Sequence, residues 1–317
     1  MLLSPVQMHI PDGFLSITVS LVLWLLSALS VAYALRRAGQ DFDERQAPLM
    51  GVLAAAIFAG QMLNFAVAGG TSGHLMGAAL ATILLGPWAA LLVMTTVVGV
   101  QALIFQDGGL LALGANIFNM GVVGVAVSYM VYTSVQRLKF GGDARWTVFA
   151  GGFLAAWCSI ELSALGVALQ LALSGTAPAN LAIPAMALIH ALIGIGEGLI
   201  TLGALAFLYA SRRDLLHIGA PAPLRGRLVW GFGLLLTLAL AFVSQYASTH
   251  PDGLEWVAEQ QGFLNKAQNP LYTLIPDYLL PGLQNETLAT ILAALLGSLI
   301  VAGVALGLAY SRRKRSG

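Results

Sequence analysis

GGTSGHLMGAALATILLGPWAALLVMTTVVGVQALIF, residues 69–105, decides how this chain is laid out. From His74 to Phe105 it is one apolar run broken by Gly86-Pro87. Proline lacks the donor that a helix interior needs and clashes with the turn before it. Read as one helix, the run makes a single pass through an apolar layer. Read as two, it leaves and returns on the same side. Charge placement elsewhere arbitrates, because Lys and Arg concentrate in loops on the cytoplasmic side of a membrane. Arg36-Arg37 follow the first apolar run. With two passes in 74–105, three later groups fall on the side of Arg36: Arg137, Lys139 and Arg145; Arg212, Arg213, Arg225 and Arg227; and Arg312-Arg313-Lys314-Arg315. With one pass, all but the first basic pair fall on the other side. The reading is therefore two short passes or a bent hairpin. The piece 74–86 is too short to cross a bilayer alone and is expected to lie packed inside the bundle.

Composition sets the solvent. Of 317 residues, 58% are hydrophobic and 9% charged, with a mean hydropathy of +0.83. Soluble domains carry about a quarter charged residues. Alternating strand patterns are not seen, so the expectation is an all-α integral membrane protein and not a barrel. The net charge of +1 and the lack of a basic stripe give no support to nucleic-acid binding. One cysteine, Cys158, allows neither an internal disulfide nor a thiolate metal site within one chain. Any metal site must use nitrogen and oxygen.

Working outward, apolar runs predict spans near 15–35, 47–68, 74–86, 87–105, 110–135, 146–173, 183–210, 228–247 and 287–310. The start, MLLSPVQ, lacks the basic region of a cleaved signal, so the first span is expected to be permanent. The N-terminus then lies outside and the C-terminus in the cytoplasm of an inner-membrane protein. The chain divides into a seven-span part, 8–215, a Pro-rich cytoplasmic linker, 216–227, and a two-span part, 228–317, around an outer loop. His9, the loop ending in His74, Gln106-Asp107 and 248–286 all fall on the outer side.

Met8-His9-Ile10-Pro11-Asp12-Gly13 carries one candidate chemistry. If Met8 is the true start, a free amine, the His9 backbone nitrogen and His9 Nδ1 form a tridentate chelate. His74 supplies a fourth nitrogen, and planar nitrogen sets suit Ni²⁺ and Cu²⁺. Two polar loop histidines with no ligand role are the plainer alternative. His190 and Glu197 are seven apart on one helix face, and ionisable groups within spans are rare. They fit an ion path, or a polar pair that fixes helix packing beside Gly194, Gly196 and Gly198. Glu161, Gln61 and Asn64 are open to both readings. Asn116 and Asn119 either line the site or hydrogen-bond between helices.

No P-loop, zincin or serine-elbow motif is present, so binding and passage are favoured over bond making. Two other classes stay in play: an intramembrane metalloenzyme built on His190, Glu197 and Glu161, and an assembly subunit that binds no substrate.

MHIPDGFLS, GGTSGHLMGAALATILLGPWAA, QALIFQDGGLLALGANIFNMG and HALIGIGEGLIT together closely resemble CbiM/NikM, the substrate-binding component of cobalt and nickel energy-coupling-factor transporters. HPDGLEWVAE between two C-terminal spans resembles the CbiN/NikN partner and its PDGLE motif. The resemblance runs from Met8 to about Tyr310. It implies a seven-helix S component fused to a two-span unit, with Co²⁺ or Ni²⁺ as transported substrate and no prosthetic group. It implies metal ligands on Met8, His9 and His74. It implies as partners a CbiQ/NikQ-like coupling protein in the bilayer and CbiO/NikO-like cytosolic ATPases, so the chain itself is no enzyme. The C-terminal unit is expected to assist metal loading. The seven residues before Met8 depart from the pattern, and the expectation is that Met8 is the real N-terminus. The motifs do not separate cobalt from nickel, though fusion leans towards nickel.

Overall fold

The computed structural model describes residues 8–41, 47–138, 144–211, 213–216 and 226–311. The helices are α1 (Ile17–Asp41), α2 (Ala47–Gln61), α3 (Ala78–Leu85), α4 (Pro87–Val100), α5 (Leu113–Asn116), α6 (Gly124–Arg137), α7 (Ala144–Leu173), α8 (Ala179–Ser211), α9 (Gly226–Val243), α10 (Gly253–Gln260) and α11 (Glu286–Ser311). Two strands, β1 (Asn64–Val67) and β2 (Thr71–His74), form an antiparallel hairpin. Among the described residues, six helices are long and apolar enough to cross a membrane: 17–38, 87–105, 113–137, 145–173, 179–211 and 286–311. This is a mostly helical, multi-pass membrane protein. Large apolar side chains left exposed on α1, such as Leu21, Leu25 and Leu29, suit a lipid-facing surface.

The layout expected from sequence needs adjustment in two places. The run 47–68 is not one span: α2 stops at Gln61, and 64–74 turns back as the hairpin, so the protein is not purely α-helical. Gly69 and Gly70, at φ of 88° and 79°, make that turn at little steric cost. The run 74–105 does bend at Gly86-Pro87, where Gly86 has φ 75° and ψ 170°. The 8-residue α3 rises only about 12 Å, far less than a bilayer core of about 30 Å. The chain leaves the neighbourhood of His9 at His74 and is back beside His9 at Asp107, as a hairpin and not a single pass requires. Much of the basic-loop pattern, including Lys139, Arg212, Arg225 and 312–315, lies outside the described residues, as do residues 1–7.

The short α3 creates a problem that the fold solves with side chains. Met76 and Gly77 enter α3 as irregular backbone beside the middle of α8. Unpaired N–H groups in an apolar layer cost several kcal/mol, so such backbone survives only where protein partners satisfy it. Glu197, fully buried, accepts from Met76 N at 2.8 Å and Gly77 N at 2.9 Å, and Gln61 Nε2 donates to Met76 O at 2.8 Å. The packing reading of Glu197 and Gln61 therefore describes their contacts. The α8 glycines fit it too: Trp157, Phe65 and Phe153 lie against Gly194, Gly196 and Gly198.

Replacing Glu197 by Leu strands two amides, each costing ~1–3 kcal/mol, whereas Gln keeps one acceptor. Thermal unfolding in detergent is expected to show Glu197→Leu well below Glu197→Gln, with Gln below the parent. Equal midpoints for Leu and the parent would refute this role.

Candidate metal centre

The segment 8–15 is an irregular strip held by side chains. Asn116 clamps it from both sides: Oδ1 accepts from Ile10 N at 3.0 Å and Nδ2 donates to Ile10 O at 3.1 Å. Asp12 accepts from Ala112 N at 2.9 Å. Asn116 sits where helix gives way to the π-helical stretch Ile117–Val123, a distortion that recurs at functional sites. Asn119, inside that stretch, exchanges two 2.8 Å amide bonds with Gln170 and ties it to α7.

Next to this strip, Asp107 follows a second π-helical stretch, Gln101–Phe105, two residues beyond its end, and its N–H donates to Gln101 O at 3.0 Å. Its Oδ1 accepts from Met8 N at 2.9 Å and from His9 N at 3.2 Å. His9 Nδ1 stands 3.0 Å from the same oxygen, without the alignment of a hydrogen bond. Three nitrogens of one dipeptide thus surround one point. His9 is 3% exposed, yet neither of its ring nitrogens has a hydrogen-bond partner. Buried polar atoms are nearly always paired, so a ring whose Nε2 is open and whose Nδ1 meets only the Asp107 carboxylate stands out. The His74 ring meets it edge to face, with centroids 5.6 Å apart. His74 Nδ1 lies 3.1 Å from Leu75 O; donation there leaves Nε2 as the free lone pair. Burial, with the neighbouring His9 ring adding to it, lowers the His74 pKa to about 4, so the imidazole is neutral and able to ligate at neutral pH. Burial opposes ionisation of Asp107, but the His9 ring beside it and the Tyr278 hydroxyl outweigh that and hold the carboxyl below its ordinary range.

A cavity of about 90 Å³ opens here, lined by Met8, His9, His74, Asn116, Asn119, His190 and Asp252 among others. The structure thus gathers six of the eight candidate residues. Asn64 does not line it; it pairs across the hairpin with His74, and its carbonyl accepts from Ser248 N at 2.7 Å. Glu197 does not line it either, both oxygens being engaged by Met76 and Gly77. His190 Nδ1 lies 2.8 Å from Met186 O, which turns its other nitrogen towards Gly253. A metalloenzyme on His190, Glu197 and Glu161 loses its main carboxylate, and Glu161 is absent from the cavity wall. Among the described residues, no cluster of three His, Cys, Asp or Glu side chains is placed to hold an ion. A set that draws two of its donors from the backbone escapes such a count.

Sequence reading missed three contributors. Asp107 stood only as an outer-side residue; its signal was the polar break Gln106-Asp107-Gly108-Gly109 right after an apolar run. Asp252 and Tyr278 come from the C-terminal unit. The PDGLE turn docks on β2: Pro251 O accepts from Ser72 N at 2.8 Å, His250 O accepts from Ser72 Oγ at 2.8 Å, and Asp252 bridges to Ser72. Asp252 then caps α10 by accepting from Glu255 N at 2.8 Å. Gly253 is needed for closeness, since a Cβ there would lie 2.8 Å from His190 Cε1 and from Ile193 Cδ1.

Fold and site define a multi-pass membrane protein with a buried, largely apolar pocket bordered by His9, His74 and His190. Residues 9–215 match the family described as cobalt uptake substrate-specific transmembrane region, CbiM, and residues 227–314 match a PDGLE domain. The chain belongs to the CbiM family, with a PDGLE domain fused behind it. A putative fused nickel transport protein, NikMN, of Archaeoglobus fulgidus is 38% identical over 98% of this chain and 100% of that protein. A cobalt transport protein, CbiM, of Sorangium cellulosum is 33% identical over 66% of this chain and 94% of that one. A crystal structure described as a truncated transition metal transporter is 34% identical, with a TM-score of 0.56, over 64% of this chain and 99% of that chain.

Gly253→Ala is expected to lift the PDGLE turn from β2. Losing the bond to Ser72 N is worth about 1 kcal/mol, so exchange of that amide should quicken several-fold in hydrogen–deuterium measurements. Unchanged protection at Ser72 would show that the turn tolerates the methyl group.

Proposed function

We propose that this chain is the metal-capturing subunit of a Ni²⁺ or Co²⁺ uptake system of the energy-coupling-factor type. The ion is bound on the outer side by the Met8 amine, the His9 backbone nitrogen, His9 Nδ1 and the free ring nitrogen of His74. The observation that carries this reading is the approach of Met8 N, His9 N and His9 Nδ1 to one point, each within 2.9–3.2 Å, beside a second imidazole. A dipeptide supplies these donors as fused chelate rings. The His9 amide proton leaves to the outer water as the cation takes its place, so uptake of the ion releases protons. This requires Met8 to begin the mature chain.

The partners of this reading are a membrane coupling protein, CbiQ/NikQ-like, and two CbiO/NikO-like ATPases. ATP hydrolysis belongs to them, and this chain acts as a transporter subunit. The N-terminus faces outward and the C-terminus the cytoplasm. The fused relatives from Archaeoglobus fulgidus and Rhodobacter capsulatus, matched over 98% and 94% of this chain, are both named nickel transport proteins. A planar nitrogen set also favours Ni²⁺. Together these favour Ni²⁺ as the principal substrate. Cu²⁺ binds such a set at least as tightly, so its exclusion rests on supply.

The test is metal content by mass spectrometry after exposure to equimolar Co²⁺, Ni²⁺ and Zn²⁺, with and without Cu²⁺, beside a Ni²⁺ titration, on protein whose N-terminus is verified as Met8. With Cu²⁺ left out, about one Ni²⁺ or Co²⁺ per chain is expected, with affinity at least tenfold weaker in His74→Ala. A chain still carrying MLLSPVQ should bind poorly, because its Met8 nitrogen is an amide. Full retention in His74→Ala would sink the four-nitrogen site and turn attention to His190. Absence of metal from the parent would favour the assembly-subunit reading.

A further inference from the structure

We propose that Asp107 is the placeholder for the cation in the metal-free site, and that Tyr278 of the C-terminal unit is a positioning residue that holds it there. The inference rests on the four-nitrogen reading and deepens it. A backbone N–H and the lone pair left when its proton departs point the same way. The Met8 and His9 N–H groups both point at Asp107 Oδ1, so both future lone pairs do too. A cation about 2 Å from nitrogen along the 2.9 Å line from Met8 N to Oδ1 leaves the oxygen no room. Asp107 must therefore yield as the ion enters. Until then it keeps the dipeptide in its chelating shape.

What fixes Asp107 comes from beyond the family-matched bundle. The Tyr278 hydroxyl donates to Asp107 Oδ2, the oxygen that the dipeptide does not use. The Tyr278 ring stacks on Phe105, with centroids 4.9 Å apart and planes 17° apart, and is 8% exposed. The strand of chain before it is tied to the same π-helical end: Ile275 N donates to Ile104 O at 3.1 Å, Leu274 N to Gln106 Oε1 at 2.9 Å, and Tyr272 Oη to Leu103 O at 2.8 Å. The PDGLE turn grips the His74 strand; this second clasp grips the carboxylate facing His9. Through Tyr278, the C-terminal unit sets the shape of a chelate to which it gives no ligand. When the ion displaces Oδ1, the bond to Oδ2 is the pivot on which the carboxylate swings.

Tyr278→Phe keeps the stacked ring and removes only the hydroxyl. The experiment is Ni²⁺ binding by isothermal titration and stopped flow on the whole chain beginning at Met8, for the parent, Tyr278→Phe, Asp107→Asn and the double variant. Tyr278→Phe should weaken binding about tenfold, mostly through slower capture, and should add less than twofold once Asp107 is Asn. An equal loss in both backgrounds would mean that Tyr278 acts through packing and would overturn the proposal, as would unchanged binding in Tyr278→Phe. Hydrogen exchange without metal gives a second reading. The His9 and Ile10 amides should exchange several-fold faster in Tyr278→Phe while Ser72 stays protected. Equal speeding at Ser72 would report general loosening and count against it. A parent that binds no Ni²⁺ removes the four-nitrogen reading and this inference together; a parent that binds normally beside indifferent Tyr278 variants removes this one alone.

Discussion

Backbone that is neither helix nor sheet needs hydrogen-bond partners wherever it enters an apolar layer. This protein sinks two such pieces into its bundle, 8–10 and 76–77, and sets strand β2 beside them with its Ser72 N–H turned away from β1; each is met by side chains or carbonyls from elsewhere in the chain. Asp107 and Asn116 serve 8–10; Glu197 and Gln61 serve 76–77; Pro251 and His250 serve Ser72. The pocket lies among these pieces. Polar residues that look in sequence like an ion path spend much of their capacity on keeping that irregular backbone buried.

The same constraint explains why backbone nitrogens stand in the candidate metal centre. A dipeptide packed in helical form would turn its amides along its own axis. Held as an irregular strip by Asn116 and Asp107, it turns two of them to one point beside His9 Nδ1. Burial then keeps His74 neutral, as a nitrogen ligand must be. His9, 3% exposed, meets only the Asp107 carboxylate at Nδ1 and leaves Nε2 without a hydrogen-bond partner.

The C-terminal unit is joined to the rest through more than helix contact. Its loop reaches the pocket from two directions, at β2 through Pro251 and Asp252, and at the end of the second π-helical stretch through Ile275 and Tyr278. Most of these bonds use backbone atoms, so they depend on chain path more than on side-chain identity. Gly253 fits between His190 and Ile193, and Tyr278 against Phe105.

Sequence by itself determined the solvent, the helical class and the bend at Gly86-Pro87, because these follow from local hydropathy and from proline's missing donor. It also named His9, His74, Asn116, Asn119 and His190, which the fold brings round one cavity. It did not give the hairpin at 64–74, since a four-residue strand leaves no period to read beside a helical span. It did not rank Asp107, Asp252 or Tyr278, nor separate Glu197 from His190 on their shared helix. A carboxylate's role here depends on which amides stand opposite it. Those partners lie 99 residues away for Met8 and Asp107, and 121 for Met76 and Glu197. Only the tertiary structure decides such pairings, because they are chosen by where buried backbone is left without a partner.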